Sequence, residues 1–350
     1  ICASYGITRG SYTVVVGEKT TGVCTICGEL VNFTGFHKVA GMLYYYENNK
    51  RITGFKTVDS KTYYFDPTSY AAVNGYQQIT NKSYYFKDNV MQTGFINHNG
   101  FVGYAESHGW LQSGWITYNG KKYYMSPSTF TAVKGNQTID GKNYFFNNDY
   151  TQFTGLQTLS NGHYSYFDPN NNGARTTGWK TIGSDRYYFD SNGESVDGLQ
   201  TISNSHYYFI NNKLATGFIN HNGFVTYTSS DGIILTGIQT VNGKKYYISP
   251  TTYRAVKGEV LIGSSSFLFN DDYTMFTGLR SLGNGYYSYY NPYNNGALTV
   301  GWATVGSDTY YFDANGRSFK GIVSIAGSYY FFDSNSHKAT GWQKENGKWY

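Results

Sequence analysis

A glycine recurs along the chain at intervals of 19 to 23 residues, usually followed by an aromatic or aliphatic residue. Repeats of this length are stacked supersecondary units, each of which buries its apolar surface against its neighbours. The period therefore predicts a repeat array and excludes an ordinary compact domain. These unit glycines are Gly35, Gly54, Gly75, Gly94, Gly114, Gly135, Gly155, Gly178, Gly198, Gly217, Gly237, Gly258, Gly278, Gly301, Gly321 and Gly341.

A longer duplication overlies the short period. From Gly75 the intervals are 19, 20, 21, 20, 23 and 20 residues, and the same series starts again at Gly198. The decapeptide TGFINHNGFV accordingly occurs at Thr93–Val102 and again at Thr216–Val225. We predict two six-unit blocks, at about 75–197 and 198–320, within a repeat solenoid over 35–350. Residues 1–34 are predicted to be degenerate N-terminal repeats or a cap.

Each unit has the pattern of a β-hairpin. A short strand leads to a turn dipeptide such as Asn119-Gly120, Asp140-Gly141 or Asn242-Gly243, which tolerates positive φ at both central positions of a type I′ turn. An aromatic triplet follows, and its first and third rings should share one face because side chains alternate along a strand. With 38 Tyr, 23 Phe and 42 Gly, the rings could stack in ladders. The predicted fold is all-β, an elongated β-solenoid of stacked hairpins, and a monomer.

The charge distribution and the motifs argue against nucleic-acid binding, a membrane span and enzyme activity. The net charge of +5 is scattered, whereas a nucleic-acid surface needs clustered Lys and Arg. No apolar stretch is long enough to span a membrane. Phosphate-loop and nucleophile-elbow motifs are absent, so no cofactor and no enzyme activity are predicted for this fragment. Asp66, Asp190, Asp313 and Asp333 follow aromatic triplets at one unit position, which favours local turn bonds over catalysis.

Three cysteines lie near the start of the chain. Cys24 and Cys27 form one Cys-x-x-Cys, with Cys2 upstream and His37 downstream. These four residues could just supply a zinc site, and free thiols or a local disulfide are the alternatives. A lone Cys-x-x-Cys is a weak signal, so no metal is predicted.

The decapeptide suggests a carbohydrate site. Sugars stack an apolar face on an aromatic ring while fixed amides and an imidazole bond their hydroxyls. The alternative is a plain hairpin turn built from Asn-x-Asn-Gly. The candidate carbohydrate-binding residues are Asn97, His98, Phe101, Tyr104, Trp115 and Lys122 in the first block, and Asn220, His221, Phe224, Tyr227 and Lys245 in the second. The 23-residue units at Gly155 and Gly278, with loops DPNNNGA and NPYNNGA, are second candidates.

The units TGWKTIGSDRYYFDSNGES and GIQTVNGKKYYISPTTYRAVKG resemble the cell-wall-binding, choline-binding and glucan-binding repeat superfamily. Within it they look most like the C-terminal combined repetitive oligopeptides of the large clostridial glucosylating toxins. That resemblance implies a secreted protein whose β-solenoid binds cell-surface glycans, with a glucosyltransferase upstream. The decapeptide units resemble the toxins' long repeats, but the insertion that lengthens those repeats is missing.

A second family interpretation is a cell-wall, choline or glucan-binding module that anchors a bacterial surface protein or enzyme. A choline cage should have Trp both after the unit glycine and at the head of the aromatic triplet. Only Trp342 and Trp349 show that pair. The predicted partners are therefore cell-surface glycans or bacterial wall polysaccharide.

Overall fold

The computed structural model describes residues 34–345 and 347–349. Within this range the chain forms 37 short β-strands and two 3-10 helices, at Pro169–Asn171 and Pro292–Asn294. Sixteen hairpins account for most of the strands, so the all-β prediction and the hairpin repeats are confirmed. Cys2, Cys24 and Cys27 lie outside the described residues.

The hairpins, in chain order, are β1 Gly35–Val39 with β2 Met42–Glu47, β4 Gly54–Val58 with β5 Lys61–Phe65, β6 Gly75–Ile79 with β7 Lys82–Lys87, β9 Gly94–His98 with β10 Phe101–Ala105, β11 Gly114–Tyr118 with β12 Lys121–Met125, β13 Gly135–Ile139 with β14 Lys142–Phe146, β15 Gly155–Thr158 with β16 Tyr164–Asp168, β18 Gly178–Ile182 with β19 Asp185–Phe189, β20 Gly198–Ile202 with β21 Ser205–Ile210, β23 Gly217–His221 with β24 Phe224–Thr228, β25 Gly237–Val241 with β26 Lys244–Ile248, β27 Gly258–Ile262 with β28 Ser265–Phe269, β29 Gly278–Gly283 with β30 Tyr286–Asn291, β32 Gly301–Val305 with β33 Asp308–Phe312, β34 Gly321–Ile325 with β35 Ser328–Phe332, and β36 Lys344–Glu345 with β37 Lys348–Trp349. Five two-residue strands follow some of them: β3 Lys50–Arg51, β8 Val90–Met91, β17 Ala174–Arg175, β22 Lys213–Leu214 and β31 Ala297–Leu298.

The unit glycine is the first residue of a strand in every hairpin from Gly35 to Gly321. In the antiparallel register it pairs with the last residue of the aromatic triplet, as Gly178 does with Phe189 and Gly301 with Phe312. A glycine leaves space opposite the ring, and its positive φ, +76° at Gly178, is costly for other residues. The repeat period thus sets the pairing register of each hairpin.

The third aromatic of the triplet forms the core. Phe189 and Phe312 are fully buried, and the first ring of each triplet is buried with them. The middle ring, such as Tyr188, lies on the other face and stays half-buried. This alternation matches the sequence prediction. The largest buried aromatic rings are Tyr45, Phe65, Phe86, Phe146, Phe167, Phe189, Phe209, Phe269, Tyr290, Phe312 and Phe332.

Successive hairpins are joined by backbone hydrogen bonds as well as by rings. The loop after a hairpin donates one N–H to the second strand of the preceding hairpin, as Gln152 does to the Lys122 carbonyl at 2.8 Å and Met275 to the Lys245 carbonyl at 2.7 Å. Because such bonds link hairpins in sequence, each hairpin is stabilised by its neighbour. The described chain divides into two compact units, one of residues 34–157 with 166–176, and one of residues 158–165 with 177–349.

Candidate functional site

The first copy of the decapeptide forms a hairpin whose polar residues contact the preceding hairpin. The Tyr85 hydroxyl lies 3.0 Å from His98 Nδ1 and donates to the His98 carbonyl at 3.1 Å. The Phe101 ring stacks on Tyr85 with centroids 4.3 Å apart. Asn97 is exposed and Tyr104 is half-buried. His98 and Phe101 therefore take part in hairpin packing, which favours the turn interpretation for this pair.

The second copy of the decapeptide makes the same contacts, and its phenylalanine is more deeply buried. Tyr208 lies 3.3 Å from His221 Nδ1, and its ring stacks on Phe224 at 4.3 Å. Phe224 is only 4% exposed, and the Arg254 guanidinium lies 4.7 Å from its ring centre. Asn220 is exposed, and Tyr227 packs against the adjacent core cluster. The burial of Phe224 argues against its predicted use as a sugar-stacking face.

Trp115 contacts three other aromatic rings at a hairpin junction, of which Phe146 is the most distant at 5.8 Å. It follows the unit glycine Gly114 and stands 40% exposed. Its ring makes edge contacts with Tyr124, its partner across the hairpin, at 5.3 Å, and with Tyr144 of the next hairpin at 5.0 Å. The planes of the two tyrosine rings are inclined to the indole plane by 69° and 71°, so the indole forms a corner with each tyrosine ring. Burial raises the pKa of the Tyr144 phenol, so its hydroxyl stays protonated at neutral pH.

Two further clusters have the same construction. Trp179 contacts Tyr188 at 5.2 Å and Tyr207 of the next hairpin at 4.9 Å. Trp302, 123 positions later, contacts its equivalents Tyr311 and Tyr330 at 4.9 and 4.8 Å. We call these the Trp115, Trp179 and Trp302 clusters, each composed of the named tryptophan and two tyrosines.

The Trp179 and Trp302 clusters were not predicted from the sequence, because a choline cage was expected to have a second tryptophan at the head of the triplet. The structure shows different partners for the tryptophan. They are the middle ring of its own unit's triplet and the first ring of the next triplet. The signal in the sequence is therefore Gly-Trp followed by two successive triplets with tyrosines at these positions.

The chain's own cations lie against two of the three clusters. Lys338 Nζ is 5.5 Å from the Trp302 ring centre and 5.2 Å from that of Tyr330. The Arg186 guanidinium carbon is 4.3 Å from the Trp179 ring centre. No such cation lies over Trp115 among the described residues. Distances below about 6 Å are those of cation–π attraction, so these ring faces can hold a positive group.

The two predicted lysines lie elsewhere. Lys122 lines a cavity of about 320 Å³ together with the loop of the 23-residue unit that starts at Gly155. Lys245 lines the equivalent cavity, of about 350 Å³, beside the loop of the unit that starts at Gly278. The structure therefore brings the lysines together with the second candidate loops and not with the decapeptides.

The recurring aspartates have the predicted turn role. Asp190 Oδ1 accepts from the Asn192 and Glu194 amides at 2.8 and 2.9 Å, and Asp313 does the same with Asn315 and Arg317. In the described part of the chain, no group of His, Cys, Asp and Glu could hold a metal ion, and no helix is long and apolar enough to cross a membrane. Burial lowers the pKa of His37, the described member of the zinc alternative.

Two repeat families match segments of the chain. The family described as Choline-binding repeat matches residues 133–175 and 298–337, which include Tyr144 and all three rings of the Trp302 cluster. The family described as Putative cell wall binding repeat matches residues 53–68, 113–128, 177–195 and 340–350, which include Trp115 and Trp179. These matches support the predicted repeat superfamily, a carbohydrate-binding module and a cell-surface or extracellular location. They do not confirm the toxin family.

Two curated relatives are streptococcal glucosyltransferases. Glucosyltransferase-S of Streptococcus mutans serotype c is 27% identical over 294 residues, which are 82% of this chain and 15% of that protein. Glucosyltransferase-I of Streptococcus downei is 28% identical over 111 residues, or 30% of this chain and 6% of that protein. The chain thus spans a small part of the length of either relative.

Some solved structures are similar to this chain at low TM-scores. CbpJ from Streptococcus pneumoniae TIGR4 is 22% identical, with 87% of this chain and 99% of that chain covered and a TM-score of 0.31. Alternansucrase in complex with isomaltononaose is 23% identical, with 64% and 18% covered and a TM-score of 0.28. At these scores neither structure bears on the ligand of this chain.

Proposed function

We propose that the chain is a non-catalytic module that attaches a secreted or surface protein to a bacterial wall polymer, with the Trp115, Trp179 and Trp302 clusters holding a quaternary ammonium group such as choline. The observation that carries the proposal is the position of Lys338 Nζ, within 5.5 Å of both the Trp302 and Tyr330 ring centres. Two ring faces at a corner attract an alkylated ammonium without needing a hydrogen-bond acceptor. The choline-binding repeat matches support the same ligand class.

Competition between ligand and chain distinguishes the three clusters. A ligand must displace Lys338 at the Trp302 cluster and Arg186 at the Trp179 cluster. The Trp115 cluster has no cation to displace among the described residues, although Tyr144 is buried and offers less of its face. We therefore expect weak sites of unequal strength, whose combined effect holds the protein on a surface.

Retention on a choline-substituted resin tests the proposal. The intact chain should be retained and should elute with free choline, whereas unsubstituted resin should not hold it. The variant W115A/W179A/W302A should pass through, and Ile238→Ala, at the position that corresponds to Trp115 in the second block, should be retained. Equal retention of the triple variant and the intact chain would refute the assignment.

A neutral glucan is the second candidate ligand. The similarity to two glucosyltransferases favours it, and exposed Tyr and Trp faces can also stack on sugar rings. This candidate would be supported if the chain binds dextran and free choline does not inhibit that binding. The toxin resemblance gives a third: host-cell glycans, which a mammalian glycan array would show as binding to specific oligosaccharides.

A further inference from the structure

A polar cavity is built twice in the molecule, once in each block, at positions 123 residues apart. In the first block it is lined by Lys121 and Lys122 of β12, by Thr151, and by the Pro169–Asn171 helix with Asn172. The second cavity is lined by the equivalent Lys244, Lys245, Thr274 and Asn295. None of these residues belongs to a tryptophan cluster. Each cavity lies wholly within one of the two compact units.

Three consecutive repeat units hold the first cavity in place. The backbone N–H of Gln152 donates to the Lys122 carbonyl, and its side-chain Nε2 donates to the Asn172 carbonyl at 2.6 Å. Gly173 lets the loop approach this closely, since a Cβ there would lie 2.4 Å from Gln152 Nε2, and its φ is +77°. The cavity is therefore formed by the 23-residue unit together with the two units before it.

The charge in the cavity is positive. Lys121 and Lys122 both line it, and Asp149 Oδ2 lies 3.9 Å from Lys121 Nζ. Side chains alternate along β12, so the ammonium group assigned to the cavity is that of Lys122, as the equivalent Lys245 Nζ contacts the lining residue Asn295. Hydrogen bonds from the Thr151 hydroxyl and amide to Asp149 Oδ1 lower the pKa of that carboxyl, so it stays charged. Lys122 has no anionic partner among the described residues. The net surplus is one positive charge, beside the hydroxyl of Thr151.

We propose that the two cavities bind an acidic group, a carboxylate or a phosphate monoester or diester, carried on a saccharide or polyol chain. Ammonium groups form strong charge-assisted hydrogen bonds with such oxygens, and the Asn172 side-chain amide can bond neighbouring hydroxyls. The Thr151 hydroxyl donates to Asp149 and can only accept from the ligand. A volume of about 320 Å³ lies at the small end of ligand pockets, which suits one substituted residue of a polymer. This proposal concerns a different ligand group from the one at the tryptophan clusters and does not depend on them.

The two cavities differ at residues that should affect their affinity for an anion. Gln152 in the first wall is replaced by Met275 in the second, which removes an amide donor, and Asn148 is replaced by Asp271, which adds a carboxylate to the same turn. Lys245 Nζ is also engaged by Asn295 Oδ1 at 3.4 Å. All three differences disfavour an anion in the second block, so the first cavity should bind more tightly.

Titration calorimetry on the full chain in low salt tests the proposal with three probes: poly(glycerol phosphate), oligogalacturonate and neutral dextran. Binding of either acidic probe, with Lys122→Gln weakening it by about fivefold or more, supports the site, and the probe bound tells whether phosphate or carboxylate is the ligand. Lys245→Gln should have a smaller effect. The matched control is Lys142→Gln, because Lys142 begins β14 as Lys121 begins β12 but does not line the cavity.

The proposal is overturned if neither acidic probe binds more tightly than dextran, or if Lys142→Gln weakens binding as much as Lys122→Gln does. The second result would mean attraction by the overall positive charge only. Repeating the titration with W115A/W179A/W302A separates this site from the choline proposal. Acidic probes should still bind to that variant, whatever the outcome on the choline resin.

Discussion

At the scale of single residues, the side chain after the unit glycine determines whether an indole lines a hairpin junction. Trp115, Trp179 and Trp302 place an indole against two tyrosines. At the equivalent position Ile238 and Glu259 offer no ring, although the hairpins around them are the same. The proposed ligand site is thus separable from the fold.

The pair Trp115 and Ile238 gives the first residue-scale prediction. Trp115→Ala should weaken ligand binding by about fivefold or more, because the indole is the largest wall of its cluster. Ile238→Ala should change binding by less than about twofold. Titration with free choline and with glucan oligosaccharides measures both variants. Equal effects of the two substitutions would contradict the asymmetry between blocks.

Lys338 gives a prediction of opposite sign. If its ammonium occupies the Trp302 cluster, Lys338→Ala should strengthen choline binding there by about two- to fivefold, since the ligand no longer competes with it. Fluorescence of W115A/W179A, in which Trp302 is the cluster tryptophan left intact, can follow this site. Lys344→Ala is the control of equal charge change. Weaker binding of Lys338→Ala would show that the lysine assists the ligand.

The binding roles predicted from the sequence for Trp115 and for the decapeptide residues stay predictions, but the packing of the decapeptides was not foreseen. The Asn, His and Phe types suit a sugar site, yet Tyr85 and Tyr208 from the preceding hairpins use the imidazoles and rings for packing. Contacts between units do not follow from the pattern within one unit. The Trp179 and Trp302 clusters were not predicted, because the choline cage was expected to have a second tryptophan within the unit, whereas one tyrosine of each cluster comes from the next unit.

At the scale of the hairpin, stability depends on burial of the third ring of the triplet, which pairs with the unit glycine across the hairpin. Phe189 pairs with Gly178 and is fully buried, whereas Leu199 on the next hairpin is 40% exposed. The two residues therefore test burial at neighbouring positions of the same array.

Phe189→Ala should lower the free energy of unfolding of its region by about 3–5 kcal/mol, because it leaves a ring-sized cavity. Leu199→Ala should cost less than about 1 kcal/mol. Urea unfolding of the full chain should show an earlier transition for the first variant only. Similar midpoints for both variants would mean that the buried ring layer is not what holds the hairpins.

The sequence predicted the hairpins well because glycine marks both the strand start and the turn. Asn119-Gly120 and Asn242-Gly243 have positive φ at both residues, as a type I′ turn requires. It did not predict the short third strands such as Val90–Met91. These follow turns like Asp88-Asn89, which reach φ of 51° and 66° without glycine. Asn and Asp tolerate that region, so the signal was present but weaker.

At the scale of the whole molecule, the duplication supplies related candidate sites on one chain. Ring-cluster sites and acidic-group cavities of this size should each bind weakly, because little surface is buried. Linked sites gain about 10²–10⁴ in apparent affinity on a surface that offers many ligands. The elongated solenoid, the two six-unit blocks and the monomeric state stay predictions at this scale.

The central claim is that several weak aromatic clusters on one chain together hold it on a choline-bearing surface. The most direct measurement is dissociation from a sensor densely coated with choline, for the intact chain, the three single Trp→Ala variants and the triple variant. We predict that each single substitution speeds dissociation by about tenfold or more, with Ile238→Ala unchanged, and that the triple variant shows no retention. A triple variant that dissociates as slowly as the intact chain would contradict the account.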